Sequence, residues 1–425
     1  MHRRRFLRKA GAVAALGSLS LLAGCSSSCP DSGLPSPDET VSLLDAPTNP
    51  WESPPTGRWP LEHGTPGNTG YSPGTLPTAN LSVAWRTRLD LPSTDAGGLS
   101  TSSPVAADGS VYVAGTRRVH ALSLATGAHE WTSARLDPTS GDATWEFEPN
   151  TVAPAVASSG QVVVGTEDGV VALHPRDGAP LWEVTSLKNV ASPVATGGGI
   201  VALGDDTLLS LRPDGTERWK RECTPTTDRT PPAVSEQTVL VPTEAGIRGF
   251  DAQTGEELWH PSLRGITRVV ATGEDGFVGN YDGLHAFSVS SGAVHWTVDR
   301  GSGRAFRSPV VTADTIYTVE QPGEAGAAAF ALDRVDGRPS PRWCSSIGSG
   351  SVTAATDEQA LAILGLGTGP HAAQSIVSFS RSRGAVRWAL RGGSHPRDWV
   401  TPPALLDGGV IVTTRGGTVA AVGGG

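Results

Sequence analysis

Hydrophobic and polar positions alternate in short runs along most of the chain, and a turn-forming dipeptide ends each run. The stretch "SPVAADGSVYVAGTRRVHALSLATGAHEW", which begins at Ser103, shows three runs of small and β-branched apolar residues followed by a fourth that opens at a Trp. Dipeptides such as Asp108-Gly109, Asp168-Gly169 and Asp177-Gly178 end runs of this kind. Alternation with a period of two between turn signals predicts short β-strands.

The same four-strand pattern recurs through the chain. Clear copies begin at Ala153, Ala191 and Pro231, and weaker ones begin near Thr267, Ser308, Ser349 and Thr401. Eight tryptophans mark the repeat at intervals of 37 to 51 residues: Trp85, Trp131, Trp182, Trp219, Trp259, Trp296, Trp343 and Trp388. Four strands in every ~40–50 residues are typical of a propeller blade. We therefore predict an all-β fold, an eight-bladed β-propeller of four-stranded antiparallel blades.

A Gly usually stands four residues before the Trp, as in "TGAHEW" at 126–131 and "TGEELW" at 254–259. We expect this Gly to adopt the positive φ of a tight turn between the third and fourth strands. The Trp ring is expected to cover the gap between neighbouring blades. In "DGRPSPRW" Gly337 and Trp343 are six residues apart, which predicts a longer turn in that blade.

The two ends of the repeat region complement each other. A lone Trp strand, "LSVAWRTRL" around Trp85, comes first, and "GTVAAVGGG" comes last with no Trp strand after it. Each would leave an unpaired sheet edge, which is an aggregation liability. We predict that the N-terminal strand completes the last blade and closes the ring.

The N-terminal segment has the layout of an export signal. Residues 1–24 combine a basic head, a short apolar run and small residues, and the run is too short to span a membrane comfortably. "RRRFL" resembles a twin-arginine signal and "LAGC" resembles a lipobox, so Cys25 is predicted to carry lipid. An uncleaved basic anchor remains the alternative. The predicted organisation is a signal peptide at 1–24, a Ser- and Pro-rich lipid-anchored linker at 25–58 and the propeller at 59–425, on the outer side of the cytoplasmic membrane.

Charge and cysteine content exclude some classes of function. The chain has a formal net charge of −9, and residues 1–24 carry five basic and no acidic side chains. The remainder has 28 basic and 42 acidic residues, a net charge of −14, which argues against nucleic-acid binding. Besides Cys25, the cysteines are Cys29, Cys223 and Cys344, and they lack the close spacing of a metal site. We predict no metal site.

The motif "A-L-x-x-x-T-G-x-x-x-W" and the lead-in "WPLEHGTPGNTGYSP" from Trp59 resemble the pyrroloquinoline-quinone-type propeller repeat. Quinoprotein dehydrogenases and the outer-membrane assembly lipoprotein BamB share this repeat. The resemblance implies either a non-catalytic binding or scaffold role, without cofactor, or a quinone-dependent oxidoreductase that uses pyrroloquinoline quinone (PQQ) with calcium. The dehydrogenases have a vicinal cysteine pair and carboxylate and Asn calcium ligands, which the sequence does not show. We therefore favour the non-catalytic role and predict no catalytic residues.

The loops that join each Trp strand to the next blade should open on one face, around a central funnel. Several carry aromatic or charged residues that the repeat does not use: Trp145, Glu148, Arg229, Arg268, Arg307, Arg397 and Trp399. Aromatic and Arg side chains around a concavity are typical of binding sites. We predict a monomeric envelope lipoprotein whose loop face binds a protein partner or a small anionic ligand. The alternative is a solvated rim whose charges pair across the funnel.

Overall fold

The computed structural model describes residues 29, 34–91, 101–115, 117–136, 152–226, 230–265, 268–299, 304–322, 326–335, 338–366, 373–393, 395 and 398–424. These residues form eight sheets, each with four antiparallel blade strands, which confirms the predicted all-β, eight-bladed propeller. In the part of the chain so described, there is no helix whose length and apolar character would let it cross a membrane.

The first four blades have four strands each. Blade 1 contains β3 (Val105–Ala107), β4 (Ser110–Gly115), β5 (Arg118–Ser123) and β6 (His129–Thr132). Blade 2 contains β7 (Ala155–Val156), β8 (Val162–Gly165), β9 (Val170–Leu173) and β10 (Pro180–Val184). Blade 3 contains β11 (Val194–Thr196), β12 (Gly199–Leu203), β13 (Thr207–Leu211) and β14 (Glu217–Glu222). Blade 4 contains β15 (Ala233–Ser235), β16 (Thr238–Thr243), β17 (Gly246–Asp251) and β18 (Glu257–Trp259).

The last four blades include two with additional strands. Blade 5 contains β19 (Val270–Thr272), β20 (Asp275–Gly279), β21 (Leu284–Ser288) and β22 (Val294–Val298). Blade 6 contains β24 (Val310–Val311), β25 (Thr315–Pro322), β26 (Ala327–Val335) and β27 (Arg338–Gly348), and β23 (Arg304–Phe306) also pairs with β25. Blade 7 contains β28 (Gly350–Ala355), β29 (Gln359–Leu366), β30 (Ala373–Ser380) and β31 (Val386–Arg391). Blade 8 contains β32 (Ala404–Leu406), β33 (Gly409–Thr413), β34 (Thr418–Gly424) and the early strand β2 (Leu81–Arg88).

The chain ends close the ring as predicted. β2 pairs antiparallel with β34, and Trp85 lies opposite Ala421. Val83 and Val422 are fully buried in this blade. The outer strand of blade 8 therefore comes from the start of the repeat region, and its pairing with β34 leaves neither terminal strand as a free edge.

The recurring Gly and Trp meet across the boundary between blades. Gly127 in the β5–β6 turn of blade 1 has a φ of +68°, and a Cβ there would lie 2.4 Å from the ring of Trp85 in blade 8. Trp85 Nε1 donates to the Leu124 carbonyl at 2.8 Å in the same turn. Equivalent contacts join Gly178 to Trp131, Gly215 to Trp182, Gly255 to Trp219, Gly292 to Trp259 and Gly384 to Trp343. Among the described residues, the hexapeptide thus joins neighbouring blades at six of the eight boundaries.

A β-bulge in the outer strand, which the sequence pattern does not predict, orients the Trp side chain. In blade 1 the pairing register of the outer strand shifts between His129 and Trp131, so that Glu130 has no partner residue. A shift that leaves the residue before the Trp without a partner also occurs in six other blades, whereas in blade 7 the shift leaves Arg387 and Trp388 without partner residues in β30. A bulge increases local twist and redirects side chains. Here it accompanies the contact of the Trp ring with the next blade at boundaries where that contact is described.

Residues 34–58, within the segment predicted to be a linker, lie against the propeller. β1 (Glu39–Ser42) adds a fifth, parallel strand to the outer edge of blade 7 by pairing with β31. Arg86 donates to the carbonyls of Leu43 at 2.6 Å and Ala46 at 2.9 Å. Cys29 forms a disulfide with Cys344 in β27, with a Cα–Cα distance of 5.8 Å. Main-chain pairing and a covalent link hold this segment, although its composition is typical of a flexible linker.

Candidate functional site: the central cavity

One end of the central channel is closed by the lead-in segment, residues 56–75. Its backbone carbonyls accept hydrogen bonds from the innermost strands of six blades. The donors and acceptors are Ala106 N to Trp59 O, Val156 N to Pro60 O, Val234 N to Pro66 O, Ala271 N to Gly67 O, Val311 N to Thr69 O and Ala355 N to Gly70 O, at 2.7–2.9 Å. Blade 8 bonds to both ends of the segment through Asp407, and Ser192 near blade 3 donates to Glu62 at 2.6 Å. The segment is therefore a floor bonded all round the ring.

The floor approaches the strands so closely that one position requires glycine. A Cβ at Gly67 would lie 1.9 Å from the Ala271 carbonyl oxygen, which is a clash with backbone. Trp59 is almost fully buried in the same floor. The sequence stretch "WPLEHGTPGNTG" thus has a structural explanation. Its Gly allows main-chain contact with the innermost strand of blade 5, and its Trp fills the channel end.

The opposite end of the channel is open. The innermost strands end at the floor, so their starting residues, and the loops that lead into them, surround the other end. A cavity of about 810 Å³ lies there, lined by the floor residues Glu62 and His63 and by loop residues such as Arg268, Arg307 and Arg415. A concave, largely polar space with a few converging charged groups is typical of a binding site.

Arg268, in the loop before β19, reaches from the mouth toward the floor. Its Nη1 lies 2.9 Å from Nδ1 and 3.0 Å from Nε2 of His63, and its Nη2 donates to the Pro309 carbonyl at 3.2 Å. Burial lowers the pKa of Arg268 to about 10, and the Glu62 charge partly opposes this. Arg268 therefore stays protonated at neutral pH. Burial and the Arg268 charge hold the pKa of His63 well below its ordinary value, so the imidazole is neutral.

Among the described residues that line the cavity, Glu62 is the single carboxylate. Its Oε2 accepts from Ser192 Oγ at 2.6 Å. Burial raises its pKa, while the Ser192 hydrogen bond and Arg268 lower it. Glu62 and Arg268 thus interact through space, but no ion pair within 4 Å joins them in the described residues. Part of the Arg268 charge remains uncompensated.

Arg307, in the loop before β24, is exposed at the mouth. With the Gln321 amide oxygen turned toward the guanidinium, this oxygen accepts from Arg307 Nη2 at 2.7 Å and from Nε at 3.0 Å. A neutral amide therefore orients this Arg. Tyr281 from the β20–β21 turn stands beside it in the lining and is 77% exposed, the largest exposure among the big hydrophobic side chains described.

Arg415 and Trp399 form a second cluster, in blade 8. The Arg415 guanidinium carbon lies 5.1 Å from the centre of the Trp399 ring, which is a cation–π distance. Burial lowers the pKa of Arg415. Arg415 lines the cavity. Trp399, which directly precedes the lining residue Val400, contacts Arg415. The sequence singled out Trp399 but missed Arg415, because Arg415 lies in the β33–β34 turn and not in a loop that joins two blades.

The predicted binding-face residues fall into two groups. Arg268 and Arg307 line the cavity, and Trp399 supports Arg415 at its edge. Trp145, Glu148, Arg229 and Arg397 lie outside the described residues, as does Cys25. Sequence reasoning also missed Glu62 and His63 as cavity residues. The only signal was their place in the non-repeated lead-in, which gives no indication that this segment crosses the channel.

The described cavity does not fit PQQ with calcium. Calcium takes six to eight oxygen ligands, and no cluster of three or more His, Cys, Asp or Glu residues occurs in the described parts of the chain. A vicinal cysteine pair is missing from the sequence, and neither the Cys29–Cys344 disulfide nor buried Cys223 is part of the lining.

The fold and the site define the class of protein: an eight-bladed β-propeller whose central channel is closed at one end and opens at the other into a polar cavity. The family model described as "Outer membrane protein assembly factor BamB" matches residues 69–169, 134–340 and 244–389, and the chain belongs to this family. No curated protein sequence matches it.

Solved structures share the fold at low sequence identity. BamB from Moraxella catarrhalis superimposes with a TM-score of 0.57 and 15% identity, over 81% of this chain and 98% of that one. Quinohemoprotein alcohol dehydrogenase from Comamonas testosteroni gives a TM-score of 0.62 and 14% identity, over 86% and 80%. Sqt1 from Saccharomyces cerevisiae gives 0.55 and 12%, over 74% and 92%. Likeness at these identities shows the fold alone, and a shared fold does not fix function.

Proposed function

We propose that this protein is a non-catalytic binding or scaffold lipoprotein of the cell envelope. Lipid on Cys25 anchors it to the outer side of the cytoplasmic membrane. A protein partner docks on the face where the central cavity opens, and the floored face plays no part in binding.

The observation that carries the proposal is the difference between the two ends of the channel. At one end of the channel, the backbone of residues 56–75 forms hydrogen bonds with the blades around the ring. The other end presents Arg268, Arg307 and Arg415 around a cavity of about 810 Å³. These arginines belong to loops and turns on rigid blades, where binding residues are commonly found. Membership of the BamB family agrees with a binding role.

The disulfide supports an extracytoplasmic location. Cys29 and Cys344 are bonded across a sequence separation of 315 residues. Such bonds form and persist in oxidising compartments and are rare in the cytosol. Cys29 lies four residues after Cys25. An exported chain whose anchor sits beside this bond would hold its propeller near the membrane.

The anchor is tested by mass and by substitution. Intact mass of the membrane-bound protein should correspond to a chain that begins at a diacylated Cys25. Cys25→Ser should be released from membranes or remain as the uncleaved precursor. A membrane-bound form that still carries residues 1–24 would show that the lipoprotein assignment is wrong.

The docking face is tested by cross-linking in the native host. A photo-reactive residue replaces Tyr281, which is exposed in the cavity lining, and a matched variant carries it at Leu181, which is 45% exposed in β10 on the outer rim. We expect a discrete protein adduct from position 281 and none from position 181. Equal adducts from both positions, or an adduct from 181 alone, would move the docking surface to the rim.

A further inference from the structure

Arg268 and Arg307 lie together at the boundary of blades 5 and 6. Arg268 Nη2 donates to the Pro309 carbonyl, two residues after Arg307, and Ser308 Oγ donates to the Arg268 carbonyl at 3.3 Å. A guanidinium has five N–H donors. The described contacts use two on Arg268 and two on Arg307. Three donors remain on each side chain, although the Arg268 Nε–H among them is buried without a partner.

Neutral groups position both arginines. Their acceptors are an imidazole, a backbone carbonyl and an amide oxygen. The ion pairs found among the described residues include neither Arg268 nor Arg307, nor Arg415. Glu62 offsets part of one charge from beyond ion-pair distance. Among the described residues, therefore, no acidic side chain fully compensates these two oriented cations, in a chain whose net charge is −9.

Several other polar groups of the lining are already used by the fold. Thr101 Oγ1 donates to the Thr414 carbonyl at 2.8 Å, Thr353 Oγ1 to the Leu361 carbonyl at 3.4 Å and Thr401 Oγ1 to the Thr413 carbonyl at 3.2 Å. Ser192 is bonded to Glu62. The three threonine hydroxyls thus bond to backbone carbonyls in, or directly after, the second strands of blades 7 and 8. The arginines are thus the strongest remaining donors toward the cavity.

We propose that Arg268 and Arg307 form a binding site for an oxyanion, the carboxylate or phosphate group of a small ligand that enters through the mouth. Arg binds both groups through two parallel N–H···O bonds, and these charge-assisted bonds are stronger than neutral ones. Tyr281 lines the same cavity and offers an exposed aromatic surface to the ligand. This proposal specifies the chemistry of the ligand that the cavity binds. It rests on the proposed function only in taking the open face as the binding face.

The test is calorimetric titration of the purified full chain with citrate, and separately with inorganic phosphate, at low salt. We expect saturable binding with one site, weakened at least tenfold in Arg307→Gln and in Arg268→Gln. Arg307→Lys keeps the charge but loses the fork and should bind with intermediate affinity. Arg383→Gln removes the same charge from an exposed turn between β30 and β31 on the floored face and should bind like the wild type. Arg307 is exposed, so its variants should fold even where Arg268→Gln does not.

A second titration identifies the source of the oxyanion. It uses a short acidic peptide and, as the control, a neutral counterpart whose carboxylates are capped as amides. Binding of citrate or phosphate identifies a free solute, and binding of the acidic peptide alone identifies a carboxylate on a polypeptide. Absence of saturable binding by every anion, or equal affinity in wild type, Arg307→Gln and Arg383→Gln, overturns the site. The cross-link from position 281 is scored in the same Arg307→Gln variant. Loss of anion binding with an intact adduct separates this site from the docking of a partner, and anion binding without any adduct refutes the docking proposal alone.

Discussion

The rim of the propeller and its central cavity are built in opposite ways. At the rim, one contact recurs. A turn Gly of one blade packs against the Trp of the preceding blade, as Gly127 does with Trp85 and Gly255 with Trp219. At the cavity, each arginine occurs in one blade only, and the floor comes from a segment outside the repeat. Arg268 and Arg307 have no counterpart in the clear repeats, where the positions that match Arg268 are Ser103, Ala153, Ser192 and Pro231 and those that match Arg307 are Ser102, Val152, Ala191 and Thr230.

The difference separates architecture from binding in this chain. A contact that stabilises most blade boundaries must recur with the blade, so the repeated residues serve stability. A site formed once, on the axis, must come from positions where the copies differ. Changes at repeated positions should therefore unfold the protein, while changes at the arginines should alter binding and leave the fold intact.

The largest effect is expected from deletion of residues 80–90, which removes β2. The last blade would lose its outer strand and the Trp85 contact with blade 1. Loss of a buried Trp alone costs about 3–5 kcal/mol, and an open edge promotes aggregation. We expect no cooperative thermal transition and aggregation in size-exclusion chromatography.

Deletion of residues 38–43 is the control, because it removes β1, a fifth strand outside the ring. That variant should keep a cooperative transition at a lower melting temperature. If the β2 deletion melts like the wild type, the ring is not closed by β2.

Adding a single methyl group at the turn Gly should disrupt the Gly–Trp contact. Gly127→Ala puts a Cβ against the Trp85 ring at a φ of +68°, whereas Gly109→Ala has a φ of +87° and nothing within 4 Å. The left-handed conformation costs an Ala about 1–2 kcal/mol at either position, and overpacking adds about 1–3 kcal/mol at Gly127 alone. Chemical denaturation should show Gly127→Ala to be clearly the less stable. Equal losses would mean that the Trp ring does not constrain the turn.

The disulfide tests how firmly the N-terminal segment is held. Removing a native disulfide typically lowers the free energy of unfolding by about 2–4 kcal/mol. Part of the segment stays bound through β1, so we expect the lower end of that range for the Cys29→Ser, Cys344→Ser double variant. A reducing agent should lower the melting temperature of the wild type to that of the double variant and leave the double variant unchanged. Any further shift in the double variant would implicate Cys223.

The smallest effect is a loss of stability in acid caused by repeated histidines. His120 and His285 occupy equivalent places in blades 1 and 5, and each is 3.0–3.1 Å from a Thr hydroxyl of the outer strand. Burial lowers the pKa of His120 to about 4 and also lowers the pKa of His285. The unfolded chain therefore binds more protons between about pH 6.5 and 4, so stability is complete above that window and falls as the pH drops through it.

The measurement is the free energy of unfolding from pH 7 to pH 5. His120→Gln, whose amide can still bond to Thr132, should flatten the decline. Glu62 acts in the opposite sense, because its raised pKa favours the folded protein as the carboxylate is protonated. A pH profile that is the same in wild type and His120→Gln would show that His120 is not the titrating group.

The sequence predicts what repeats and misses what occurs once. Blade number, the turn glycines and the closing strand follow from residues such as Gly127 and Trp85, because each copy supports the others. The floor is not predictable, since its bonds come from backbone carbonyls and carry no side-chain signature. The same holds for β1, whose Ser- and Pro-rich surroundings look like a linker. Arg268 and Arg307 were identified because they interrupt the repeat, while Arg415 was missed because it lies in an ordinary turn.

The most direct test of the account compares two charge reversals in the position-281 cross-linking strain. Arg307→Glu changes the cavity mouth, and Arg383→Glu makes the same change in charge on the floored face. We predict that the partner adduct disappears in Arg307→Glu and persists in Arg383→Glu, with the melting temperatures of both variants close to that of the wild type. An adduct of unchanged yield in Arg307→Glu, from a folded protein, would contradict the assignment of binding to the open end of the channel.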